Sequence, residues 1–327
     1  MVGGSPLAMK RSSAFMALTA ILILFIGIPV FAQPPQDKTR PAKPQTDKDG
    51  QITIGTFEVR LPITVKEKNK FVGGLTKNNF EVYEDGKRQE ILNFIAPSQL
   101  PLNIAMMIDT SSSVKLKLPF EKDAGEDFVT TVTTFRRKDQ VLLASFDSGI
   151  ELHQDFTDNL ELLIRAIRKL KAGGFTKLYD GVYRVIEEKM ATLSGDDARR
   201  IIVVLSDGAD TASEHTLKET IEMAQGHDVT IFGISTKNFK GITSGMTENA
   251  DDKELRRLCE STGGQIFLPS QKTELFRAFT QVAEDLRQEY VLFYKPDNQN
   301  QSGKRREIKV KLVSADGRLY HKQGYTY

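Results

Sequence analysis

Leu102-Asn103-Ile104-Ala105-Met106-Met107-Ile108-Asp109-Thr110-Ser111-Ser112-Ser113 is the stretch on which the reading of this chain turns. An apolar run of strand length ends abruptly in an acid and a cluster of hydroxyls. In an open α/β sheet, ligands bind outside the carboxyl ends of the strands. An Asp109-x-Ser111-x-Ser113 loop placed there gathers one carboxylate and two hydroxyls, all oxygen donors. Hard cations such as Mg²⁺ take oxygen ligands in octahedral geometry and usually keep some waters. The stretch therefore reads as one third of a metal site, with further oxygen donors expected from other strand-end loops.

Downstream, apolar strands alternate with amphipathic helices from Leu102 to about Glu289, which predicts βαβ units and a doubly wound, mostly parallel sheet. A helix is expected over Leu118 to Phe135 and a strand over Val141 to Phe146. The Asp147-Ser148-Gly149 turn should send Ile150 to Phe156 back as an antiparallel edge strand. Thr157-Asp158 is expected to cap the next helix. Two stretches then supply the missing oxygens. In Gly173-Gly174-Phe175-Thr176-Lys177-Leu178-Tyr179-Asp180-Gly181, the paired glycines allow close approach of the backbone, and Thr176 offers a hydroxyl. The buried strand Arg200 to Leu205 ends in Ser206-Asp207-Gly208, again an acid at a carboxyl end. A strand at Val229 to Ile234, a Gly/Ser/Thr-rich loop over Lys240 to Asn249, a short strand at Gln265 to Leu268 and a last helix from Thr273 to Arg287 complete the unit.

Asp109-x-Ser111-x-Ser113, Thr176 in its glycine loop and Ser206-Asp207-Gly208, in this order, resemble the metal-ion-dependent adhesion site of the von Willebrand factor A domain, over about residues 98–289. The resemblance implies a Rossmann-like domain in which Ser111, Ser113 and Thr176 hold the ion by hydroxyls. Asp109 and Asp207 would bond to it directly or through water. The implied ion is Mg²⁺, with Mn²⁺ or Ca²⁺ as alternatives. Few direct carboxylates leave such an ion electron-poor, ready to accept an Asp or Glu of a protein partner. Residues 57–97 and 288–327 resemble the flanks of bacterial exported proteins built around such a domain. Those carry a Gly-Leu-x-x-x-x-Phe-x-Val-x-Glu-Asp-Gly segment, here Gly74-Leu75 through Phe80 to Gly86.

Asp-x-Ser-x-Ser alone also describes a helix N-cap; the agreement of three separated loops is what favours the metal. Asp180 and Asp210 read as loop-holding hydrogen-bond acceptors. The four histidines are scattered, Cys259 lies on an apolar helix face, and Arg305-Arg306-Glu307 reads as solvated. Lys115 and Lys117, beside the metal loop, read equally as guides for an acidic partner and as plain surface. An enzyme is not expected. A haloacid-dehalogenase-type phosphatase needs a second Asp two residues after the first as general acid, and that position is Ser111. There is no P-loop and no Ser-His-Asp order.

The rest of the chain bears on location. Residues 1–32 read as a signal peptide: Lys10-Arg11, an apolar run from Ala14 to Ile28, and a small-x-small site at Val30-Phe31-Ala32. An uncleaved anchor is the alternative, and the only expected route to a membrane. Residues 33–50 hold almost nothing apolar and are expected to be a disordered linker. With a net charge of +2 and one cysteine, the chain shows no case for nucleic acid, an internal disulfide or a Cys metal site. The function expected is therefore an exported, metal-dependent protein-binding module of the cell envelope, periplasm or medium, with no small-molecule substrate. The alternative is a scaffolding protein whose ion only stabilises loops.

Two flanks remain. In 51–97, Val59, Leu61, Ile63 and Val65 alternate with other residues, Pro62 suggests an edge strand, and a hairpin turns at Glu84 to Lys87. In 290–327, Tyr290 to Tyr294 is a strand, Ile308, Val310 and Leu312 alternate, and Ala315-Asp316-Gly317 turns the chain into a hairpin. Each flank has an apolar face and nothing to cover it. The two are expected to join in one small β-sandwich, since chain ends of a domain commonly lie close together.

Overall fold

The computed structural model describes residues 45–46, 52–53, 58–96, 100–135, 138–193, 198–207, 210–237, 250–297 and 303–326. The expected signal peptide, nearly all of the 33–50 linker, the 240–249 loop and Gly208 lie outside the described residues. The first described residues form two short paired strands, β1 (Gln45–Thr46) and β2 (Ile52–Thr53). Then come β3 (Val59–Glu67), β4 (Lys70–Phe71), β5 (Phe80–Glu84), β6 (Lys87–Gln89) and β7 (Ile91–Ile95). The central unit follows as β8 (Leu102–Asp109), α1 (Leu118–Phe135), β9 (Gln140–Phe146), β10 (Ile150–Thr157), α2 (Leu160–Lys169) and α3 (Leu178–Val185). It continues through β11 (Arg199–Ser206), α4 (Leu217–Gly226), β12 (Val229–Ser235), α5 (Ala250–Ser261), β13 (Ile266–Phe267) and α6 (Lys272–Asp285). The end of the chain forms β14 (Tyr290–Tyr294), β15 (Arg305–Leu312), β16 (Arg318–His321) and β17 (Gly324–Thr326).

The central sheet runs β10-β9-β8-β11-β12-β13, parallel throughout except for β10, which returns antiparallel beside β9 as expected. Helices cover both faces, which is why β8 and β11 read as continuous apolar runs. Ile104, Met106 and Ile108 of β8 pack toward Phe128 of α1, Ile167 of α2 and Phe279 of α6. Ala105 and Met107 face Val182 of α3, Ile221 of α4 and Leu258 of α5. Cys259 is fully buried in that second layer. Strand order reverses between β8 and β11, so the topological switch point lies between the strand that ends in Asp109 and the strand that ends in Ser206.

The flanks make two antiparallel sheets. One runs β16-β3-β14-β7 with β4 added to β3, and the other runs β17-β15-β5-β6. Each mixes strands from both ends of the chain, and Leu61, Ile63, Phe80, Val82, Tyr290, Leu292, Ile308 and Tyr325 share one core. Four details differ from the sequence reading. Pro62 is not on an edge strand: β3 lies between β14 and β16, and pairing with β16 stops at Ile63, one residue before the proline. The last hairpin is split, because 324–326 pair with β15 while 318–321 cross to β3 in the other sheet. Arg306 is buried against Glu84 rather than solvated. The cap of α2 is Asn159, whose side chain accepts from the amides of Glu161 and Leu162.

The second face of β3 meets the central unit. Arg60, Thr64 and Lys66 are buried there, and Lys66 pairs with Asp285 of α6 and donates to Gln265 at 3.1 Å. Arg199 reaches Glu289 and the Leu286 carbonyl, and Arg287 pairs with Asp139 at 3.1 Å. The junction is thus built of buried ion pairs around the end of α6. Among the described residues no helix is long and apolar enough to cross a membrane.

Candidate metal centre

Asp109 closes β8 and Ser206 closes the adjacent β11, with Leu205 opposite Ile108 in the ladder. Parallel neighbours end side by side, so the acids that follow converge. The Asp109 carboxylate accepts from the Ser206 hydroxyl at 2.7 Å through one oxygen and from the Ser111 amide at 2.8 Å through the other. The second bond is the Asx turn that an Asp two residues before Ser111 favours. It orients the loop so that the Ser111 and Ser113 hydroxyls meet at 2.9 Å. Ser111 is buried, whereas Ser113 faces solvent.

The glycine loop is laced to this turn by main-chain bonds. The Ser112 amide donates to the Gly174 carbonyl at 3.1 Å, and the Gly173 amide donates to the Thr110 carbonyl at 2.7 Å. Gly174 has φ +84°, and a Cβ there would lie 2.7 Å from the Ser148 hydroxyl, so only glycine fits. Thr176 is buried and is held by the third loop: the amides of Thr211 and Ala212 donate to its carbonyl, and its own amide donates to the Thr211 hydroxyl at 3.1 Å. Asp210 accepts from the Leu178 amide at 2.8 Å, and Asp180 accepts from the amides of Glu214 and His215. Both act as loop clamps, as their sequence positions indicated. The Asp180 carboxyl is held low, at about 2, by these bonds against the opposing effect of burial.

Three neighbours take roles that the sequence did not assign them. Lys117 is buried, not a surface guide, and its ammonium lies 3.9 Å from the Asp207 carboxylate. Glu121, in the first turn of α1, is fully buried and accepts from the Thr236 hydroxyl at 2.8 Å. Ser206 holds Asp109. Burial, and secondarily the Asp207 charge, push Asp109 up to about 6 despite the hydrogen bonds from Ser206 and Ser111. Burial pushes Glu121 up to about 8, aided by Asp109 and Asp207 and opposed by Thr236 and Lys117.

One carboxylate oxygen of Asp207 is buried without a hydrogen-bond partner among the described residues. Buried polar atoms are nearly always satisfied, and an exception calls for a cause such as an ion. Two crowded acids and three hydroxyls, with one acid oxygen unspoken for, suit a hard divalent cation. No cluster of three or more His, Cys, Asp or Glu able to hold a metal occurs among the described residues, so an ion here would depend on hydroxyl ligands.

The family description von Willebrand factor type A domain matches residues 103–281. No curated protein matches the chain. Among solved structures, a von Willebrand factor type A protein from Catenulispora acidiphila is 11% identical, covering 83% of this chain and 74% of its own, with a TM-score of 0.47. The corresponding domain of the type V pili tip protein Mfa5 from Porphyromonas gingivalis is 16% identical over 57% of this chain and 95% of its own, at 0.44. The PilB minor pilin from Streptococcus sanguinis is 14% identical over 59% and 63%, at 0.45. Likenesses this distant carry no function across.

Proposed function

The chain belongs to the von Willebrand factor type A domain family, and on that premise we propose that it is an exported protein-binding module that engages its partner through a divalent cation. What supports the reading is that the Asp109–Ser113 turn is bonded to the glycine loop before Thr176, that Asp109 lies beside the charge of Asp207 at the switch point of the sheet, and that one buried Asp207 oxygen is unpaired. These five residues would hold Mg²⁺, or Mn²⁺ or Ca²⁺ in its place. Bound there, the ion supplies a Lewis-acidic position for one more oxygen ligand, an Asp or Glu of the partner. Asp109 and Asp207 supply the negative charge, while Ser111, Ser113 and Thr176 supply neutral donors. The Gly173-Gly174 loop and the Asp210 clamp fix Thr176 in place before any ligand arrives. The signal-like segment at residues 1–32 supports export.

Calorimetry with Mg²⁺ or Mn²⁺ on the wild type and on Asp109→Ala tests the ion: equal heats would overturn it. Capture of envelope proteins with and without chelator then tests the partner. If chelation lowers the melting temperature but releases no partner, the ion is only a clasp for the loops and the chain is a scaffold.

A further inference from the structure

The central sheet ends at β13 and the larger flank sheet ends at β16, and these two edges face each other. They are stitched at one end. Thr262 bridges Lys322 in antiparallel sense, and the Gln323 amide donates to the Ser261 carbonyl at 3.0 Å. Gly263 makes the crossing at φ +93°, where a Cβ would lie 3.0 Å from the backbone of His321. Beyond the stitch the edges part, and Ile266 to Pro269 on one side and Arg318 and Tyr320 on the other enclose a cleft of about 440 Å³. Ala278 and Gln281 of α6 also line it.

The main chain of β13 is unsatisfied toward this cleft. The Gln265 carbonyl accepts from the Gly233 amide at 2.9 Å, so residue 265 is turned toward β12. Successive residues of a strand turn their amide and carbonyl groups to opposite sides. Ile266 therefore presents its groups to the cleft, and neither it nor Leu268, which follows β13 along the cleft wall, has a main-chain partner among the described residues. An open edge of this kind is a template for another strand.

The cleft also carries surplus positive charge. Glu260 serves two guanidinium groups, Arg256 at 3.5 Å and Arg318 at 2.8 Å. Glu274 is engaged by the amide and hydroxyl of Ser270. Arg277 is exposed at the rim with no ion-pair partner among the described residues. The side chains of Ile266, Phe267 and Leu268 are only half-buried and offer apolar contact alongside.

We propose that this cleft is a second recognition surface, separate from the metal centre, which takes an extended acidic peptide segment of a partner protein as an added strand on β13. Main-chain bonds to Ile266 and Leu268 would set its direction, and carboxylates on alternate residues would meet Arg277 and Arg318. The chain's own linker does not suit the place: residues 33–50 carry four basic and three acidic side chains, an excess of the same sign as the cleft.

The test uses the full chain and a fluorescein-labelled peptide, Asp-Val-Glu-Val-Asp-Val, read by anisotropy. Saturable binding is expected, weakened at least tenfold by Arg277→Glu with Arg318→Glu at unchanged melting temperature. Binding should also be lost when alternate peptide amides are N-methylated, which preserves charge and side chains but removes main-chain donors. A Lys-Val-Lys-Val-Lys-Val peptide should not bind, and glutarate should compete only weakly. Asp109→Ala should bind the acidic peptide as the wild type does, which separates this surface from the metal reading. No binding by the wild type, binding indifferent to the charge reversals, or full binding by the N-methylated peptide each overturns the proposal.

Discussion

The Lys117 ammonium lies 3.9 Å from the Asp207 carboxylate, both buried beneath the loop that Asp109 begins. A cation is thus built into the site whose acids would receive another. Like charges a few ångströms apart repel by about 4 kcal/mol at an effective dielectric near 20, so Lys117 and a divalent ion compete for the same acids. Lys117→Met keeps the apolar stem and removes the charge. It is expected to tighten Mn²⁺ binding about tenfold, which is about 1.4 kcal/mol. It should also lower the melting temperature in chelator, because Asp207 loses its internal counter-charge. Calorimetry with and without chelator reads both, and unchanged affinity would mean that the ammonium swings clear before an ion enters.

Glu121 predicts a pH dependence. Its folded carboxyl titrates at about 8 and its reference value is 4.5. Between those values the folded state keeps a proton that the unfolded chain has released. Stability from this group is therefore full below about 4.5 and is lost as pH rises through 8. Glu121→Gln keeps the shape and removes the titration. Denaturant unfolding in chelator at about pH 5 and about pH 8 should show the wild type losing stability relative to the variant as pH rises. Parallel behaviour of the two proteins would show that Glu121 ionises in the fold at no cost.

These residues also mark where sequence reading stops. The central strands were legible because a strand covered on both faces must be apolar throughout, as Ile201 to Leu205 is. The Asp109–Ser113 turn and the glycine loop before Thr176 were legible as neighbours because their residue types and order are restricted, and main-chain bonds do join them. Lys117 and Glu121 were not, since a lysine after a turn and an acid in a first helical turn are what solvent-facing positions look like. Only the 3₁₀ turn at Ser112–Val114 and the start of α1 swing them inward. Arg60 and Lys66 were missed for a related reason. Alternation along β3 distinguishes apolar from polar faces, but not water from a neighbouring polar surface. The joining of the flanks was inferable from their uncovered apolar faces. The crossing of 318–321 to the other sheet was not, because strand pairing depends on long-range register that no local pattern carries.

Glu84 should be the weak point of the flank domain. Its carboxylate takes the Arg306 guanidinium at 2.6 Å and the hydroxyls of Tyr294 at 2.7 Å and Tyr325 at 2.9 Å, all buried. Removing one partner of a buried ion pair typically costs about 3–5 kcal/mol, because the other charge stays behind. Glu84→Ala is expected to fall in that range by urea unfolding. Glu84→Gln, which can still accept from a tyrosine, should lose less. A loss under about 1 kcal/mol for the alanine variant would show that water reaches Arg306 and replaces the carboxylate.

The joint β domain makes a prediction about distance along the chain. β15 pairs with β5 through Ile308 to Leu312, β16 pairs with β3 through Arg318 to His321, and Ile308 and Tyr325 belong to the shared core. Deleting residues 296–327 therefore removes β16 from one sheet and β15 and β17 from the other, while leaving β14 in place between β3 and β7. Amide hydrogens of 80–84, more than two hundred residues from the cut, should lose protection by orders of magnitude, and those of 59–67 should follow to a smaller degree because β14 still pairs with them. β8 and β11 are the internal control: their ladders lie wholly within the central sheet and should stay protected. Lost protection in β8 and β11 as well would mean that the buried ion pairs of Lys66 and Arg199 bind the two units into one cooperative block. Unchanged protection at 80–84 would contradict the shared core outright.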